Sequence, residues 1–509
     1  MPTPPIILPI DEWLPDAPDY PASGSATITN VVPLTTTSYG AVKTPMPYSG
    51  ALNARCQGAA AFVDSSLAVT LVAGDATKLY RLVSGSNSWA DVSRTSGGAY
   101  TLGSDGWWEF EYFNGSCIAT NYTDAVQTFN LISDTNFSAL STNAPKAKHI
   151  AVVKNAFVML GNTVDGSNGA KEQRLWWSGA GDATSWPTPG GTTAAQVQSG
   201  AVDLLGSDGA VQALRSGLVS ADAIVIQRYG VKNIMYAGPP EVFSILPAQG
   251  LRGTPSPESP TIFGGSVYYF TDDGFVGFDG STATNIGFNK VDRTVLTDLD
   301  PGNVLRMVGA TDPVRKIVSW VYPGQGSVGG VPNRLLSYHI DLAKWSLCEI
   351  TSETLCRMLG IGYTLDQLFT VLGFTLNTLP ASLDSPIWQG GALQYGLFDN
   401  SHKLNYFTGS NMAAQIDTSE MQPFPGRRAL IRNTRPLVDG GTPSVSIGHR
   451  ERIQDTVTST AAVALNGLGN CPVRTSGRYL RASTTTVLGD TWTHIAGIEL
   501  DAVPQGTVR

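Results

Sequence analysis

Acidic pairs in predicted turns are the first residues whose spacing could support chemistry. Asp272 and Asp273 are adjacent, and one residue separates Asp298 from Asp300. Two carboxyl groups can share the acid and base steps of glycoside hydrolysis, and clustered carboxylates can bind calcium. Asp also hydrogen-bonds its own backbone in turns, and this ordinary role explains both pairs. The pairs therefore do not by themselves indicate an enzyme.

A run of aromatic residues offers a second possible site. Residues 104–113 read SDGWWEFEYF, which could form a platform on which a sugar ring stacks. The same run could equally consist of aromatic residues that pack in the core or at the edges of sheets. The stretches GDATSW and SNSWAD are imperfect echoes of the Ser-x-Asp-x-Gly-x-x-Trp boxes of propeller sialidases. Neither feature defines a sugar-binding site.

Metal, phosphate and nucleophile motifs are missing from the sequence. GQGSVGG at 324–330 lacks the nucleophile-elbow pattern, and no glycine-rich loop ends in Gly-Lys-Ser/Thr. The isolated His and Cys residues do not have metal-ligand spacing, and the cysteines are predicted to be buried free thiols. These residues are His149, His339, His402, His449, His494, Cys56, Cys117, Cys348, Cys356 and Cys471. The sequence nominates no catalytic, cofactor-binding or metal-binding residue, and it predicts neither an enzyme nor a cofactor.

The elements that would position any site are short strands. Residues 267–271 are aromatic and β-branched, an Asp-Asp-Gly turn follows, and residues 275–278 read as the returning strand. Two such strands joined by an Asp-Gly turn predict a β-hairpin. One hairpin is only marginally stable in water, so it requires partners.

The chain supplies those partners by repetition. Each repeat combines an apolar strand, a polar turn and often a closing aromatic residue. The seven copies are KLYRLVSGSNSW (78–89), AVQTFNLISDTNF (125–137), RLWWSGAGDATSW (174–186), VKNIMYAGPPEVF (231–243), GFVGFDGSTATNI (274–286), LLSYHIDLAKW (335–345) and KLNYFTGSNMAAQI (403–416). The apolar strands preceding them are AVTLVAG, GSCIATN, NAFVMLG, DAIVIQR, SVYYFT, KIVSWVY and QLFTVLG.

Repeated strand pairs of this size predict an all-β fold with a β-propeller of about seven blades over residues 51–426. Six or eight blades also fit, and a pair of β-sandwiches is the rival. No copy carries the Trp-Asp or Gly-His signature of the commonest propeller repeat. The composition agrees with an all-β fold, since 55 Gly and 31 Pro among 509 residues disfavour long helices.

The two ends of the chain differ from this body. Residues 1–50 contain ten prolines and predict an extended arm that lies on a neighbouring molecule, or else a disordered leader. Residues 427–509 alternate apolar and polar residues and predict a C-terminal β-sandwich or cap. That segment carries ten Arg, no Lys and six acids, a net charge of +4, within a chain of net charge −8. The arginines suit an interface, although an ordinary solvated face is equally open.

Several stretches together resemble the tail hub, or nozzle, proteins of short-tailed bacteriophages, also described as packaged-DNA stabilisation proteins. They are WLPDAPDYP (13–21), ITNVVP (28–33), LWWSGAGDATSWP (175–187), VYYFTDDGFVGFDG (267–280), IGFNKVDR (286–293) and SGRYLRA (476–482). They occur in the order such proteins show them and extend over nearly the whole chain. The resemblance implies a structural subunit that forms a ring of itself, six-fold in symmetry, below the portal–adaptor ring. It also implies tail fibre, tailspike or needle proteins as partners and a location in the virion tail after synthesis in the host cytoplasm.

Two hypotheses follow from the charges and the arm. An acidic channel would let DNA slide through the ring without tight binding, whereas a lumen lined mainly by Lys and Arg would refute this. The arm and the cap would contact neighbouring tail proteins, so deletion of 1–50 is expected to abolish the ring and leave the propeller folded. The competing classes are a propeller that binds or cleaves glycans at the host surface and a capsid decoration protein. No stretch is apolar enough to predict a signal peptide or a membrane span.

Overall fold

The structure is a computed structural model that describes residues 5–20, 24–83, 86–360 and 390–507, with 362, 375, 377–379, 382–383 and 385. Strands dominate these residues. The helices among them are α1 (Thr192–Val197), α2 (Asp292–Asp298) and a 3₁₀ helix at Pro301–Arg306. The predicted all-β class is confirmed, and the strand arrangement is propeller-like.

The segment before residue 52 forms five short strands. They are β1 (Ile6–Pro9), β2 (Ile28–Thr29), β3 (Val31–Pro33), β4 (Tyr39–Ala41) and β5 (Lys43–Ala51).

Seven groups of four antiparallel strands make up most of the described chain, and each group is named a unit. Unit 1 contains β6 (Ala59–Val63), β7 (Val69–Gly74), β8 (Leu79–Leu82) and β9 (Trp89–Asp91). Unit 2 contains β10 (Glu109–Phe113), β11 (Ser116–Thr120), β12 (Gln127–Asn130) and β13 (Ser138–Ala139). Unit 3 contains β14 (Lys146–Val153), β15 (Phe157–Asp165), β16 (Gly169–Trp177) and β17 (Gly200–Asp203).

The later units follow the same plan. Unit 4 contains β18 (Val211–Ser216), β19 (Ala223–Gln227), β20 (Val231–Gly238) and β21 (Val242–Pro247). Unit 5 contains β22 (Thr261–Phe263), β23 (Ser266–Thr271), β24 (Gly274–Phe278) and β25 (Ala283–Asn285). Unit 6 contains β26 (Val308–Asp312), β27 (Ile317–Tyr322), β28 (Arg334–His339) and β29 (Lys344–Glu349). Unit 7 contains β30 (Thr354–Leu359), β31 (Leu393–Phe398), β32 (Lys403–Asn411) and, from the start of the chain, β5.

The units stand around a common axis. Their first strands pack side by side from unit 1 to unit 4, and from unit 5 through unit 7 back to unit 1. Buried apolar clusters fill the spaces between neighbouring units, including the space between units 4 and 5. The core is therefore divided into layers between sheets, because each sheet is apolar on both faces.

The predicted repeats correspond to the third strands of the units. Six of the seven apolar strands predicted to precede them are the second strands, and they pair antiparallel with them. The hairpin in unit 5 turns where expected, with Thr271 opposite Gly274. The seventh predicted strand, QLFTVLG, lies outside the described residues, and β31 is the strand that pairs with β32.

The C-terminal strands form two facing sheets around a separate apolar core. They are β33 (Gln415–Asp417), β34 (Arg427–Val438), β35 (Ser444–Arg450), β36 (Thr458–Ser459), β37 (Val463–Ala464), β38 (Thr475–Gly477), β39 (Tyr479–Thr485) and β40 (His494–Thr507). One sheet has the order β3-β4-β40-β34-β38, with β1 also on β40. The other continues from unit 6, because β2 pairs with both β29 and β33. One ten-stranded sheet therefore joins the propeller-like body to the sandwich.

The sequence predicted that the proline-rich segment is an arm laid on a neighbouring molecule, but in the structure its strands pair with other strands of the same chain. Its strand β1 pairs along β40, β4 also pairs with β40, and β5 is the outer strand of unit 7. These strands lie on the chain itself because β40 and β32 each present an edge whose backbone groups need partners. The segment therefore belongs to both the sandwich and the propeller-like body.

Candidate functional site

The turn after Trp13 brings the N-terminal segment to the start of α2. The Asp16 carboxylate accepts hydrogen bonds from the backbone N–H groups of Arg293 and Thr294, each at 2.8 Å, and from the Thr294 hydroxyl at 2.7 Å. Val291, at the N-cap position of α2, provides no side-chain cap. A distant aspartate thus satisfies the free N–H groups that begin the helix.

Asp292, the first residue of α2, connects the helix to β24 of unit 5. Its carboxylate accepts a hydrogen bond from the Phe275 N–H at 3.1 Å. A Cβ atom on Gly274 or Gly287 would overlap that carboxyl group, so both positions require glycine. Burial raises the pKa of Asp292 to about 6, and the nearby charge of Asp16 acts in the same direction.

Two further contacts tie the N-terminal segment to the body and to the sandwich. Lys290 Nζ lies 2.6 Å from Glu12 Oε1. The rings of Tyr20 and Tyr479 meet edge to face, with centroids 5.1 Å apart. Tyr479 begins β39 of the sandwich, so the segment bridges units 5 and 6 and the C-terminal sheets.

The stretches that carry the family resemblance converge on this corner, which is named the junction. WLPDAPDYP, VYYFTDDGFVGFDG, IGFNKVDR and SGRYLRA contribute the contacts above, and ITNVVP supplies β2 and β3. LWWSGAGDATSWP lies apart, in β16 and the turn after it, where the Trp186 indole donates to the Ala183 carbonyl at 2.6 Å. The junction residues serve to join three parts of the chain, and an open cleft of about 330 Å³ beside them is lined by Arg293, Thr294 and Asp298 among others.

A second candidate site is a cavity of about 470 Å³ on the axis, bordered mainly by the first strands of the units. Its charged and aromatic lining residues are Trp107, Trp108, Phe110, Glu111, Arg215, Glu258 and Arg357. This mixture of acids, guanidinium groups and aromatic rings is typical of polar ligand sites.

Behind the cavity wall, Glu109 is held in a buried ion cluster. Glu109 Oε1 lies 2.9 Å from His149 Nδ1 and 3.4 Å from Arg215 Nη1. The other carboxylate oxygen accepts the Ile150 N–H at 2.8 Å. Burial works against ionisation of Glu109, but the contacts with His149, Arg215 and the Ile150 N–H hold its pKa below the usual value. Burial lowers the pKa of His149, and the contact with Glu109 opposes that shift.

The two acids that face the cavity behave differently. Burial raises the pKa of Glu111 to about 7, with Arg215 opposing and Glu109 adding to the rise. Burial, reinforced by the charge of Glu109, raises the pKa of Glu258 to about 8. Both carboxyl groups therefore hold a proton for part of the time at neutral pH and can donate as well as accept hydrogen bonds.

The acidic pairs considered from the sequence do not line this cavity. Asp272 forms a two-pronged pair with Arg228, at 2.7 and 3.0 Å, and Asp273 pairs with Arg252. Asp298 accepts from the Tyr322 hydroxyl at 3.1 Å, and Asp300 caps the 3₁₀ helix. Only Asp300 makes the local backbone bond expected in a turn, whereas the other three carboxylates bind partners distant in sequence.

The aromatic run at 104–113 does reach the cavity, through Trp107, Trp108 and Phe110. Sequence reasoning missed Arg215, Glu258 and His149, which lie far apart along the chain. Only the packing of neighbouring units against one another brings them near Glu109 and Glu111, and no local motif signals it.

Within the described ranges, no group of His, Cys, Asp or Glu is arranged to hold a metal ion. All five cysteines are buried and unpaired, which confirms the prediction of free thiols. No helix in the same ranges is long and apolar enough to cross a membrane.

Comparisons of the sequence with known proteins found no match, either to a protein family or to a curated protein sequence. Among solved structures, the chain is similar to an exo-beta-1,3-galactanase from Phanerochaete chrysosporium with galactose, at a TM-score of 0.27 and 10% identity. That match covers 91% of this chain and 100% of the galactanase chain. Similarity at this level carries no functional conclusion.

Proposed function

We propose that this chain is a non-enzymatic structural subunit of a short-tailed bacteriophage tail, of the hub or nozzle type. It assembles with copies of itself into a six-fold ring below the portal–adaptor ring, where it retains packaged DNA and conducts it during ejection. Tail fibre, tailspike or needle proteins are its further partners, and the virion tail is its location.

The observation that carries this proposal is the place of the resemblance stretches. Five of the six meet at the junction, where they lock the N-terminal segment, units 5 and 6 and the sandwich into one body. An enzyme would be expected to place its recognisable residues around a reactive pocket. A ring subunit needs instead a rigid relation between its domains, and these residues supply that rigidity.

We infer further that the seven units close as a seven-bladed propeller, in which β5 completes the last blade. This inference is supported by the packing of the first strands around one axis and by apolar clusters in every space between neighbours. Closure protects the sheet edges nearest the axis and leaves only the outer strands exposed. The outer rim and the sandwich are then the surfaces open to ring contacts.

Particle size and shape test the proposal directly. The purified full-length chain is examined by light scattering after size exclusion and by class-averaged electron microscopy. Rings with an axial channel are expected, and they should bind duplex DNA only weakly at physiological salt, because the chain is acidic. A monodisperse monomer at high concentration, or tight DNA binding that falls steeply with salt, would refute it.

The axial cavity favours a second candidate, a propeller that binds or cleaves glycans at the host surface. Glu111 and Glu258 are proton-bearing acids at neutral pH, and Trp107 and Phe110 supply aromatic surface beside them. Such a combination suits a saccharide, whose hydroxyl groups both donate and accept.

Release of reducing ends from host polysaccharide distinguishes the two candidates. A glycan-cleaving protein should lose this activity in the variants Glu111→Gln and Glu258→Gln. A glycan-binding protein should show saturable binding that the same variants weaken. Absence of both signals, with rings present, favours the structural role.

A further inference from the structure

Exposed arginines without ion-pair partners are concentrated in the sandwich. Four exposed arginines in the described part of residues 427–507 form no ion pair there, and they are Arg427, Arg435, Arg452 and Arg474. Arg435 lies on β34, and Arg474 directly precedes β38, the strand that pairs with β34. Arg435 is thus on an inner strand, opposite Glu499 of β40, and Arg474 is next to the edge strand β38 of the same sheet. These two arginines are named the arginine edge.

Most of the exposed acids that form no ion pair lie outside the sandwich, within which Asp455 is the one such acid in the described residues. In the described part of residues 5–426, the exposed acids that form no ion pair are Asp19, Glu172, Asp182 and Glu241. Three of them lie in units 3 and 4. Glu172 is on β16, Asp182 is in the turn that follows, and Glu241 is in the turn before β21.

The same rim exposes apolar side chains. Met235, Tyr236 and Leu246, on β20 and β21, are 46%, 38% and 57% exposed. A groove of about 510 Å³ runs between the edge strands β17 and β21 and is lined by Trp177, Phe243 and Glu241. Apolar area beside unpaired charge is the usual composition of a protein interface.

We propose that this rim of units 3 and 4 binds the arginine edge of a second copy of the chain. The occupant is identified by charge complementarity, because the rim carries unpaired acids and the sandwich carries unpaired arginines. Arg is suited to this contact because its planar guanidinium group can pair with a carboxylate and stack on Tyr236. The proposal rests on the ring assembly proposed above and names the surfaces that form it.

The position of the two surfaces fits a head-to-tail contact. The sandwich is attached to unit 6 through β2, whereas the rim belongs to units 3 and 4, roughly opposite around the axis. A contact between two different surfaces is heterologous, and repetition of such a contact gives a ring when its rotation closes. A two-fold dimer would require one surface to pair with itself, and the separation of charges disfavours this.

Charge reversal tests the contact. One variant combines Arg435→Glu with Arg474→Glu, a second combines Glu172→Arg with Glu241→Arg, and a third carries all four changes. The control exchanges an exposed pair of unit 1, Lys78→Glu with Asp91→Lys, far from both surfaces. Ring formation is measured by light scattering and electron microscopy at several salt concentrations, and thermal unfolding is measured for every variant.

Each double variant is expected to raise the concentration needed for rings by at least tenfold, and the four-fold variant is expected to recover most of that loss. The control should form rings as the unchanged protein does. If the unchanged protein forms rings and both double variants form them equally well, this inference is wrong and the proposed function stands. Failure of the unchanged protein to form rings would overturn the proposed function and this inference together.

Discussion

The junction makes a quantitative prediction for Asp16. In the variant Asp16→Ala, three hydrogen bonds to Arg293 and Thr294, at 2.7–2.8 Å, are lost. Loss of a helix N-cap to alanine costs roughly 0.5–2 kcal/mol. Because the lost acceptor is a carboxylate, the upper end of that range applies, about 2 kcal/mol. Undocking of the N-terminal segment from α2 should then become roughly 30-fold more frequent.

Hydrogen exchange followed by mass spectrometry measures this effect. The Arg293 and Thr294 amides donate to Asp16, so the peptide that contains them should exchange faster in Asp16→Ala under native conditions. Limited proteolysis near residues 17–24 should accelerate in parallel. Asp16→Asn retains a carbonyl acceptor and should show a smaller effect.

The matched control is Asp19→Ala. Asp19 lies on the same turn, is exposed, and makes no hydrogen bond or ion pair in the described residues. It should leave exchange and proteolysis unchanged. If Asp16→Ala and Asp19→Ala behave alike, Asp16 does not hold the segment, and the rigidity assigned to the junction is wrong.

Three other outcomes are expected. Folding stability should rise as pH falls from 9 to 7, by at most about 1.4 kcal/mol per pH unit for each carboxyl group, because Glu111 and Glu258 take up protons on folding. Gly274→Ala should lower the free energy of unfolding by about 3 kcal/mol, since the new methyl group meets Asp292. Deletion of 1–50 should unfold unit 7 as well as the sandwich, because β5 is removed, and this replaces the sequence-based expectation that the propeller stays folded.

Each of these outcomes has its own control. Urea unfolding at several pH values should lose the rise between pH 9 and 7 when Glu111 and Glu258 are both changed to Gln. Below pH 6.5 the trend should weaken, since the lowered pKa of buried His149 lets the unfolded chain bind more protons there. Gly206→Ala, at a glycine with φ of +134° against +128° at Gly274 and with no neighbour near the added atom, isolates the backbone cost. A deletion variant that keeps native circular dichroism would contradict the role of β5.

Local patterns predicted much of the fold. Alternation of short apolar strands with Gly and Asp turns located the second and third strands of six units, because those strands pair with near neighbours in sequence. The first and fourth strands carry weaker patterns, as in β13 and β25, which are only two and three residues long. Their position depends on packing against the next unit, which no local sequence window contains.

The candidate sites could be predicted from the sequence less well than the fold. Trp107 and Phe110 could be recognised as a possible platform from their spacing alone. Glu258 and Arg215 could not be recognised, since their position at the cavity depends on how the units pack against one another. The sequence indicated part of the junction, because the resemblance stretches are its components. The contacts among them join residues that are distant in sequence, such as Asp16 and Arg293, which are 277 positions apart.

The N-terminal segment pairs with strands from distant parts of the chain, and these pairings constrain how the chain folds. Its β1 pairs with β40 near the end of the chain, β2 lies between β29 and β33, and β5 completes unit 7. Neither the sandwich nor the last unit is complete until residues from both ends have met, so the decisive contacts are long-range and their formation is slow. The same threading prevents the two domains from moving independently, since each would have to release a paired strand. The paired strands therefore hold the sandwich and the axial body in a fixed relation, which is the property that the proposed ring subunit requires.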